Sequence, residues 1–178
     1  MKRHIAPLAT EGARLRLLEE RDLALTRAWR NQDQIRRWFL MSDPITPEQH
    51  QEWFRQYRDR DDDFVFVIEE AEVLRRPVGQ VSLYHVDWLR GRAEFGRLMI
   101  GEEKARGLGL ARRVTKLLID HAFGPLGLRE IYLECLNDNH RALAVYTDSG
   151  FNVVGQRGPV TLMAIQHAAR LDADLPCQ

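Results

Sequence analysis

The chain has 178 residues with 26 basic and 26 acidic side chains, so its formal net charge is zero. The length predicts a single domain over residues 1–178, and 44% hydrophobic with 29% charged residues is typical of a soluble globular protein. A nucleic-acid-binding domain usually carries a basic excess, so the overall charge argues against a nucleic-acid partner. No stretch approaches the roughly 20 apolar residues of a membrane-spanning helix, and no secretory leader is apparent. We therefore expect a cytoplasmic protein without a membrane partner.

The two cysteines do not suggest a metal or disulfide site. Cys135 and Cys177 lie in separate contexts, with no C-x-x-C spacing and no paired histidines nearby. Two isolated cysteines match neither the spacing of a disulfide framework nor that of a zinc site. The sequence therefore predicts no metal.

The N-terminal part reads as a strand followed by two helices. Residues 14–18 alternate like a short strand, and a helical stretch follows over about 20–31. Thr46 can cap a helix that begins with Pro47, and Gln49 can complete a capping box. Three- and four-residue spacing then places an aromatic group on one face of this helix, namely Trp53, Phe54 and Tyr57.

The pattern then changes to strands and alternating helices. Three apolar runs with short connections predict an antiparallel meander over 64–68, 78–84 and 93–100. The elements predicted after it are a helix at about 106–123, a strand at 130–136, a helix at 140–148, and strands at 151–156 and 160–166. A helix between two strands predicts a parallel pair within 94–136. The predicted fold class is α+β, a mixed, mostly antiparallel sheet flanked by helices, with one parallel β-α-β crossover.

A glycine-rich turn joins the third meander strand to the long helix. The turn is Arg106-Gly107-Leu108-Gly109. A helix N-terminus presents unpaired N–H groups and about half a positive charge, and glycines let a diphosphate approach that backbone. We expect Arg106, Arg112 and Arg113 to add positive charge. The P-loop pattern G-x-x-x-x-G-K-[ST] is absent from the sequence, and Arg112 replaces the third glycine of the dinucleotide fingerprint.

A second segment, further along the chain, makes this turn more specific. Together the two segments resemble the GNAT superfamily of acetyl-CoA-dependent N-acetyltransferases. The turn is similar to that family's [QR]-x-x-G-x-[GA] signature, either with Lys104 in the first position or as Arg106-x-x-Gly109-x-Ala111. The later segment resembles the family's N-x-x-A-x-x-x-Y-x-x-x-G-F pattern, matched at Asn139, Ala142, Tyr146, Gly150 and Phe151. The resemblance is strongest over 93–151.

The resemblance implies roles for residues in both segments. The turn would hold the CoA pyrophosphate through backbone N–H groups, and the end of the preceding strand would pair with the pantetheine arm. Asn139 would support that arm, and Tyr146 would lie near the thioester sulfur and protonate the departing thiolate. The residues implied in binding acetyl-CoA are Leu98, Met99, Ile100, Lys104, Arg106, Gly107, Leu108, Gly109, Leu110, Ala111, Asn139 and Tyr146.

Acetyl transfer to an amine makes further demands on the site. An alkyl amine has a pKa near 10.4, so only about one molecule in 10³ is neutral at pH 7. A base or a water chain must therefore take the amine's proton, and a backbone N–H near Leu98–Met99 is the expected oxyanion donor. Glu94, on the same strand, is the candidate base. The alternatives are a solvated cross-strand carboxylate for Glu94, a helix N-cap for Asn139 and a packed aromatic ring for Tyr146.

An aromatic and basic group in the N-terminal half is expected to line the acceptor pocket. Its arrangement, W-R-N…I-R-x-W…I-T-x-x-x-H-x-x-W-F, resembles GNAT enzymes that acetylate nucleotide-linked amino sugars of the pseudaminic-acid pathway type. Aromatic rings can stack on a sugar or base, and arginines can pair with a diphosphate. The alternative is that the tryptophans anchor helices to the sheet. The candidate acceptor-binding residues are Trp29, Arg30, Arg36, Trp38 and His50.

Several functions remain open on the sequence alone. The favoured one is an acetyl-CoA-dependent N-acetyltransferase that acts by direct attack of a primary amine, with a nucleotide-linked amino sugar as acceptor. Other acceptors are a protein N-terminus, as in the ribosomal-protein subgroup, or a polyamine, for which Glu19-Glu20, Asp61–Asp63 and Glu69-Glu70 offer carboxylates. A non-catalytic acyl-CoA-binding sensor is the alternative of another class. Because the Arg157–Pro159 connection is short, one wall of the substrate site is missing or is supplied by the second subunit of a homodimer.

Overall fold

The computed structural model describes residues 2–167, so Cys177 lies outside the described residues. Within this range the chain forms eight strands and five helices. In chain order they are β1 (Leu8–Thr10), β2 (Ala13–Leu17), α1 (Leu23–Arg30), α2 (Asp33–Arg36), α3 (Pro47–Tyr57), β3 (Asp63–Glu70), β4 (Arg76–Asp87), β5 (Arg92–Ile100), α4 (Leu110–Phe123), β6 (Glu130–Leu136), α5 (His140–Asp148), β7 (Asn152–Arg157) and β8 (Val160–Gln166).

All eight strands belong to one sheet with the order β1-β2-β3-β4-β5-β6-β8-β7. Every neighbouring pair is antiparallel except β5–β6, which is parallel because α4 carries the chain back across the sheet. The predicted α+β class and its single parallel crossover are therefore confirmed. The sequence did not predict β1 or α2, which have 3 and 4 residues and are too short for a clear periodic pattern.

The sheet is covered on both faces, and this explains why the sequence of β3 is continuously apolar. Phe64, Phe66 and Ile68 pack with α4 in the largest apolar cluster. The alternate residues Val65 and Val67 point to the other face, where they pack with α1 and α3. Because a strand alternates its side chains between two faces, burial on both faces requires an unbroken apolar run.

The starts of two helices are decided by local chemistry. Thr46 caps α3, accepting from the N–H of Gln49 at 3.2 Å, while the Gln49 side chain accepts from the Thr46 N–H at 2.9 Å. This capping box was predicted. The predicted start of the long helix near Arg106 is wrong, because α4 begins at Leu110 after a left-handed Gly109 with φ +75°.

Three further features of the fold concern the β7–β8 connection, membrane-spanning helices and metal-binding groups. Arg157 at the end of β7 pairs with Val160 at the start of β8, and only two residues join the two strands. No helix within residues 2–167 is long and apolar enough to cross a membrane. The same range contains no group of three His, Cys, Asp or Glu side chains placed to hold a metal.

Candidate active site

The central feature of the site is a cleft between β5 and β6. The two strands pair at only three positions, the last being Glu94 with Tyr132. Beyond that point β6 stays paired with β8 up to Leu136, and β5 stays paired with β4 up to Ile100. The facing backbone edges of β5 and β6 are therefore open, and an extended ligand arm can add to such an edge like a strand. Leu98, Met99 and Ile100 lie on the β5 side of this cleft.

A β-bulge distorts β5 at the cleft. Ser82 pairs with Gly96 and Gln80 with Met99, so β5 carries one more residue than β4 over this interval. Arg97 takes a positive φ of +51° there. Its guanidinium donates to the buried Asp63 carboxylate at 2.8 and 3.1 Å and lies 4.2 Å from the Tyr84 ring centroid. Bulges re-aim groups next to active sites, and this one lies at the residues expected to supply the oxyanion donor.

The glycine turn presents a row of backbone donors beside the cleft. Gly107 and Gly109 have φ of +85° and +75°, a conformation that side chains rarely adopt. Gly109 is the N-cap of α4 and provides no side-chain cap. Among residues 2–167 no protein acceptor meets the N–H groups from Gly107 to Arg112. A diphosphate placed here would meet these donors and the positive end of the helix.

The arginines around the turn are engaged with the protein. Arg106 donates to Gln32 Oε1 at 2.9 Å and to the carbonyl oxygens of Ile100 and Gly101, both at 3.3 Å. Arg112 forms an ion pair with Asp148. Arg113 donates to the carbonyl oxygens of Glu11 and Leu108. These three guanidinium groups brace the turn, and the expectation that they surround a phosphate has no support in their contacts.

The other residues implied at the turn differ in burial. Lys104 is exposed in the short 3-10 turn Glu103–Ala105 that precedes the glycines. Leu108 is 38% exposed, whereas Leu110 is buried and packs in the core below α4. Ala111 is half-buried. Leu110 therefore contributes its backbone N–H to the donor row while its side chain holds the helix in place.

Tyr146 borders both walls of the cleft. It lies on α5, is 8% exposed, and its ring packs edge-on against Phe95 of β5 at 5.8 Å and Phe151 at 6.0 Å. Burial, with a smaller contribution from Cys135 of β6, raises the pKa of Tyr146. The phenol therefore stays protonated at neutral pH and is able to donate a proton.

Asn139 is the N-cap of α5. Its side-chain oxygen accepts from the N–H of Ala142 at 3.3 Å. This is the alternative that the sequence left open beside the support of the pantetheine arm.

Glu94 lies where β5 and β6 begin to diverge, and two side chains of β4 hold its carboxylate. Tyr84 donates its hydroxyl to Oε1 at 2.6 Å, and Nδ1 of His85 lies 2.9 Å from Oε2. The Glu94 side chain is 14% exposed. Sequence reasoning missed Tyr84 and His85, because neighbours on a regular strand point to opposite faces of the sheet.

The predicted acceptor residues make most of their contacts within the protein. Trp29 is 2% exposed and packs so closely on the loop after β5 that a Cβ at Gly101 would lie 2.0 Å from its ring. Trp29 thus anchors α1, as the alternative held. Arg30 lies over the Phe39 ring at 3.9 Å, and His50 stacks on Trp53 at 5.3 Å.

The remaining members of this group lie in the connection between α1 and α3. Arg36 donates to Asp33 at 2.8 Å and to the carbonyl oxygen of Ser42 at 3.0 Å. Trp38 lies 4.9 Å from the Arg37 guanidinium. Arg30 lies near enough to Arg36 for their charges to interact, and the joint acceptor wall stays a prediction.

Comparison with known proteins decides the family. The family model for the acetyltransferase (GNAT) domain matches residues 13–152. The chain belongs to the GNAT acetyltransferase family. As a member it is an N-acetyltransferase with acetyl-CoA as its co-substrate, and the open cleft and donor row fit that co-substrate.

The relatives found with this GNAT chain include polyamine enzymes. It is 30% identical over 152 residues to a spermidine N(1)-acetyltransferase of Escherichia coli K12, covering 83% of this chain and 77% of that protein. It is 26% identical over 137 residues to the Vibrio cholerae spermidine N(1)-acetyltransferase, covering 77% of each. These relatives do not support the amino-sugar and ribosomal-protein subgroups inferred from the tryptophan and arginine pattern.

Solved structures share the fold. A V. cholerae spermidine N-acetyltransferase in complex with CoA and spermine superposes with a TM-score of 0.79 at 24% identity, covering 88% of this chain and 96% of that one. A domain from Methanocaldococcus jannaschii gives 0.76 at 22% identity, covering 87% and 98%. The sheet, its crossover and the flanking helices are therefore those of the family.

Proposed function

We propose that this N-acetyltransferase moves the acetyl group of acetyl-CoA to a primary amine of a small aliphatic polyamine. The observation that carries the proposal is Glu94, a carboxylate at the mouth of the cleft whose partners are a phenol and an imidazole and not an arginine. A carboxylate so placed attracts an ammonium group and can take its proton. The similarity to spermidine acetyltransferases over most of both chains supports the polyamine class.

The acidic runs that the sequence offered as a polyamine pocket have other partners. Asp61 pairs with Arg3 at 3.6 Å and Asp62 with Arg60 at 2.8 Å. Asp63 is bound by Arg97 as described above. The acidic residues before α1 and at the end of β3 are also engaged within the protein. Glu19 is bound to Arg21 at 2.9 Å and Glu69 to Arg16 at 2.7 Å. Glu70 accepts backbone N–H groups of a turn. Glu94 is therefore the better-placed carboxylate for an amine.

In the proposed reaction the residues around the cleft have distinct tasks. Glu94 accepts a proton from the acceptor ammonium and so makes the nitrogen nucleophilic. A backbone N–H at the Arg97 bulge, near Leu98–Met99, stabilises the charge that develops on the acetyl oxygen. Tyr146 protonates the leaving thiolate. Leu98 to Ile100 and the N–H groups of the glycine turn hold the co-substrate.

A nucleotide-linked amino sugar is a second candidate acceptor, and the neighbouring arginines Arg30 and Arg36 favour it. Burial lowers the pKa of Arg30, and the charge of Arg36 lowers it further. An anionic acceptor bound here would relieve this repulsion, whereas a polycation would not. In the same connection the half-buried Trp38 and the exposed Arg37 are suited to a base and a diphosphate.

A CoA-release assay with acceptors side by side tests the proposal. We expect the purified chain to release CoA with spermidine or spermine at a kcat/KM at least about tenfold above that with UDP-amino sugars, or with peptides whose only amine is the N-terminal one. A preference for the UDP-amino sugar would support the second candidate instead. Thermal-shift stabilisation by acetyl-CoA without CoA release on any amine would contradict both.

A further inference from the structure

We infer that His85 carries the acceptor's proton from Glu94 to solvent. This inference rests on the proposed acetylation of an amine. It assigns His85 a part in the reaction that neither the motifs of the sequence nor the family resemblance gives it.

The first observation is a bulge in β4 that brings two successive side chains to one carboxylate. Tyr84 pairs with Glu94 and Asp87 with Arg92, so β4 carries one extra residue over this interval. His85 takes a φ of +49°, which is rare for a residue with a side chain. As a result both Tyr84 and His85 reach Glu94, although residues on a regular strand would diverge. Strained backbone of this kind clusters at functional sites.

The second observation is a gradient of exposure along the contact. The side chain of Glu94 is 14% exposed, whereas that of His85 is 59% exposed. Each carboxylate oxygen has its own partner, with Tyr84 on Oε1 and His85 on Oε2. The imidazole thus bridges a shielded carboxylate to water.

The stoichiometry of the reaction requires such an exit. An ammonium acceptor and a thioester give an amide, a thiol and one free proton. Two protons leave the nitrogen, of which one ends on the thiol and the other must reach solvent. Protonated Glu94 passes that proton from Oε2 to Nδ1 of His85, the imidazolium releases its Nε2 proton to water, and solvent exchange restores the starting tautomer. Imidazole exchanges protons readily between pH 5 and 8.

The other groups around this pair do not offer the same route. Burial and the adjacent Glu94 raise the pKa of Tyr84, so this phenol remains a donor at neutral pH. Burial also raises the pKa of Tyr132, which faces Glu94 from β6. Arg97 covers the Tyr84 ring, and Asp62, the carboxylate on the side of His85, is held by Arg60 at 2.8 and 2.9 Å. Within the described residues, His85 is therefore the neighbour of Glu94 that joins one carboxylate oxygen to water.

The test removes the imidazole and then supplies it from the buffer. We expect His85→Ala to lower kcat with spermidine by at least about tenfold, while the thermal shift caused by acetyl-CoA stays at the wild-type value. Imidazole added to the buffer should restore much of this loss in His85→Ala and leave the wild type unchanged. His4→Ala, which removes another exposed histidine, is the control and should retain wild-type kcat.

A second variant separates proton transfer from simple positioning. His85→Asn places an amide N–H near the position of Nδ1, so it can hold Glu94 but cannot pass a proton on. We expect it to be as slow as His85→Ala. Wild-type kcat in either variant, or a loss in His85→Ala that imidazole does not restore, would overturn the inference while leaving the acetyltransferase proposal intact. A wild-type protein that acetylates no amine would remove both.

Discussion

At the residue scale, Tyr146 combines two properties that rarely coincide in a proton donor. Its ring packs on Phe95 and Phe151 within the largest apolar cluster, which fixes its position at the cleft. The same burial raises its pKa and keeps the phenol protonated. A thiolate that forms beside it would meet a proton held in a water-poor setting, where the transfer needs little reorganisation.

Tyr146→Phe is therefore expected to lower kcat by about 10²-fold with little change in acetyl-CoA affinity or in the thermal unfolding midpoint. The ring packing is retained and only the hydroxyl is lost. Steady-state kinetics and thermal-shift titration with acetyl-CoA measure the two effects. The control is Tyr57→Phe, whose hydroxyl accepts from the Val65 N–H at 3.2 Å, and which should lower the unfolding midpoint without lowering kcat. Wild-type turnover in Tyr146→Phe would remove the proposed role.

Some of these residues were accessible to sequence reasoning and others were not. Tyr146 stands in a motif with fixed spacing, and Glu94 stands on the strand that leads to the glycine turn, so both were candidates before the fold was known. Tyr84 and His85 were missed because their joint contact with Glu94 depends on a bulge, and a bulge leaves no trace in the alternation of apolar residues. The sequence left two roles open for Asn139; the helix geometry shows the N-cap, and the support of the pantetheine arm stays a prediction.

At the scale of elements, the turn before α4 depends on two glycines in the left-handed region. A Cβ at Gly107 would meet nothing within 4 Å, and one at Gly109 would meet only the Arg113 guanidinium. Substitution there therefore costs backbone strain without a serious steric clash. The open space beside Gly107 is also the space through which a diphosphate would reach the donor row.

Gly107→Asp is expected to weaken acetyl-CoA binding by at least about tenfold, because it places a carboxylate among the donors of a helix N-terminus. Gly127→Asp is the matched control, since Gly127 also has a positive φ (+65°) with nothing within 4 Å of its Cβ. Both variants should lower the unfolding midpoint to a similar degree, and only the first should change affinity. Isothermal titration with acetyl-CoA measures this, and equal affinity in the two variants would contradict the pyrophosphate assignment.

The turn between β3 and β4 is built on one carboxylate. Glu70 accepts N–H groups from Glu72 at 3.0 Å, Val73 at 2.9 Å and Arg75 at 3.2 Å, and also from Leu74. Burial alone would raise the pKa of Glu70, but these backbone donors lower it to about 2. A carboxylate with a depressed pKa stabilises the fold above its ordinary pKa of 4.5, and this contribution is lost as the pH falls toward 2.

Glu70→Gln should therefore lower the thermal unfolding midpoint at pH 7, and the difference from the wild type should shrink between pH 4.5 and pH 2. Circular dichroism melts at pH 7, 4 and 2 measure it. Glu11→Gln, at an exposed position, should match the wild type throughout. A difference between Glu70→Gln and the wild type that does not depend on pH would show that shape, and not charge, holds the turn.

The accuracy of the element predictions follows from how each element is stabilised. The meander, the crossover and α3 were predicted because apolar periodicity and a capping box are local signals. The start of α4 was placed too early, because the residues from Glu103 to Gly109 form a 3-10 turn and a glycine turn whose polar composition also suits a helix. The divergence of β5 from β6 is set by their other neighbours in the sheet, so no segment taken alone predicts it.

At the scale of the whole molecule, the zero net charge reflects pairing within the fold. Most members of the acidic runs are bound by arginines, as at Asp63 with Arg97 and Glu69 with Arg16, whereas Glu70 accepts backbone N–H groups. Much of the basic charge expected at the cleft is likewise used internally, by Arg106 and Arg113 on backbone carbonyls. At the cleft, the backbone donors of the glycine turn and the carboxylate of Glu94 are not used in arginine pairs.

The edge of the sheet suggests how copies of the chain associate. β7 is an edge strand, and Val153 and Val154 on it are 61% and 64% exposed. Edge strands of monomers are usually protected by charge or by a covering element, and these two valines, at the bulge between Val153 and Gly155, are left uncovered.

We therefore expect a homodimer in which a second copy of the chain packs against β7 and completes the acceptor wall that the two-residue β7–β8 connection leaves open. Light scattering after size exclusion should give a mass that is a multiple of 20.7 kDa. Val154→Lys should lower that mass and raise KM for the amine more than KM for acetyl-CoA. Val73→Lys, at a valine 73% exposed in the β3–β4 turn, should do neither. A wild-type monomer with full activity would contradict this arrangement, because each copy would then have to close its own acceptor pocket.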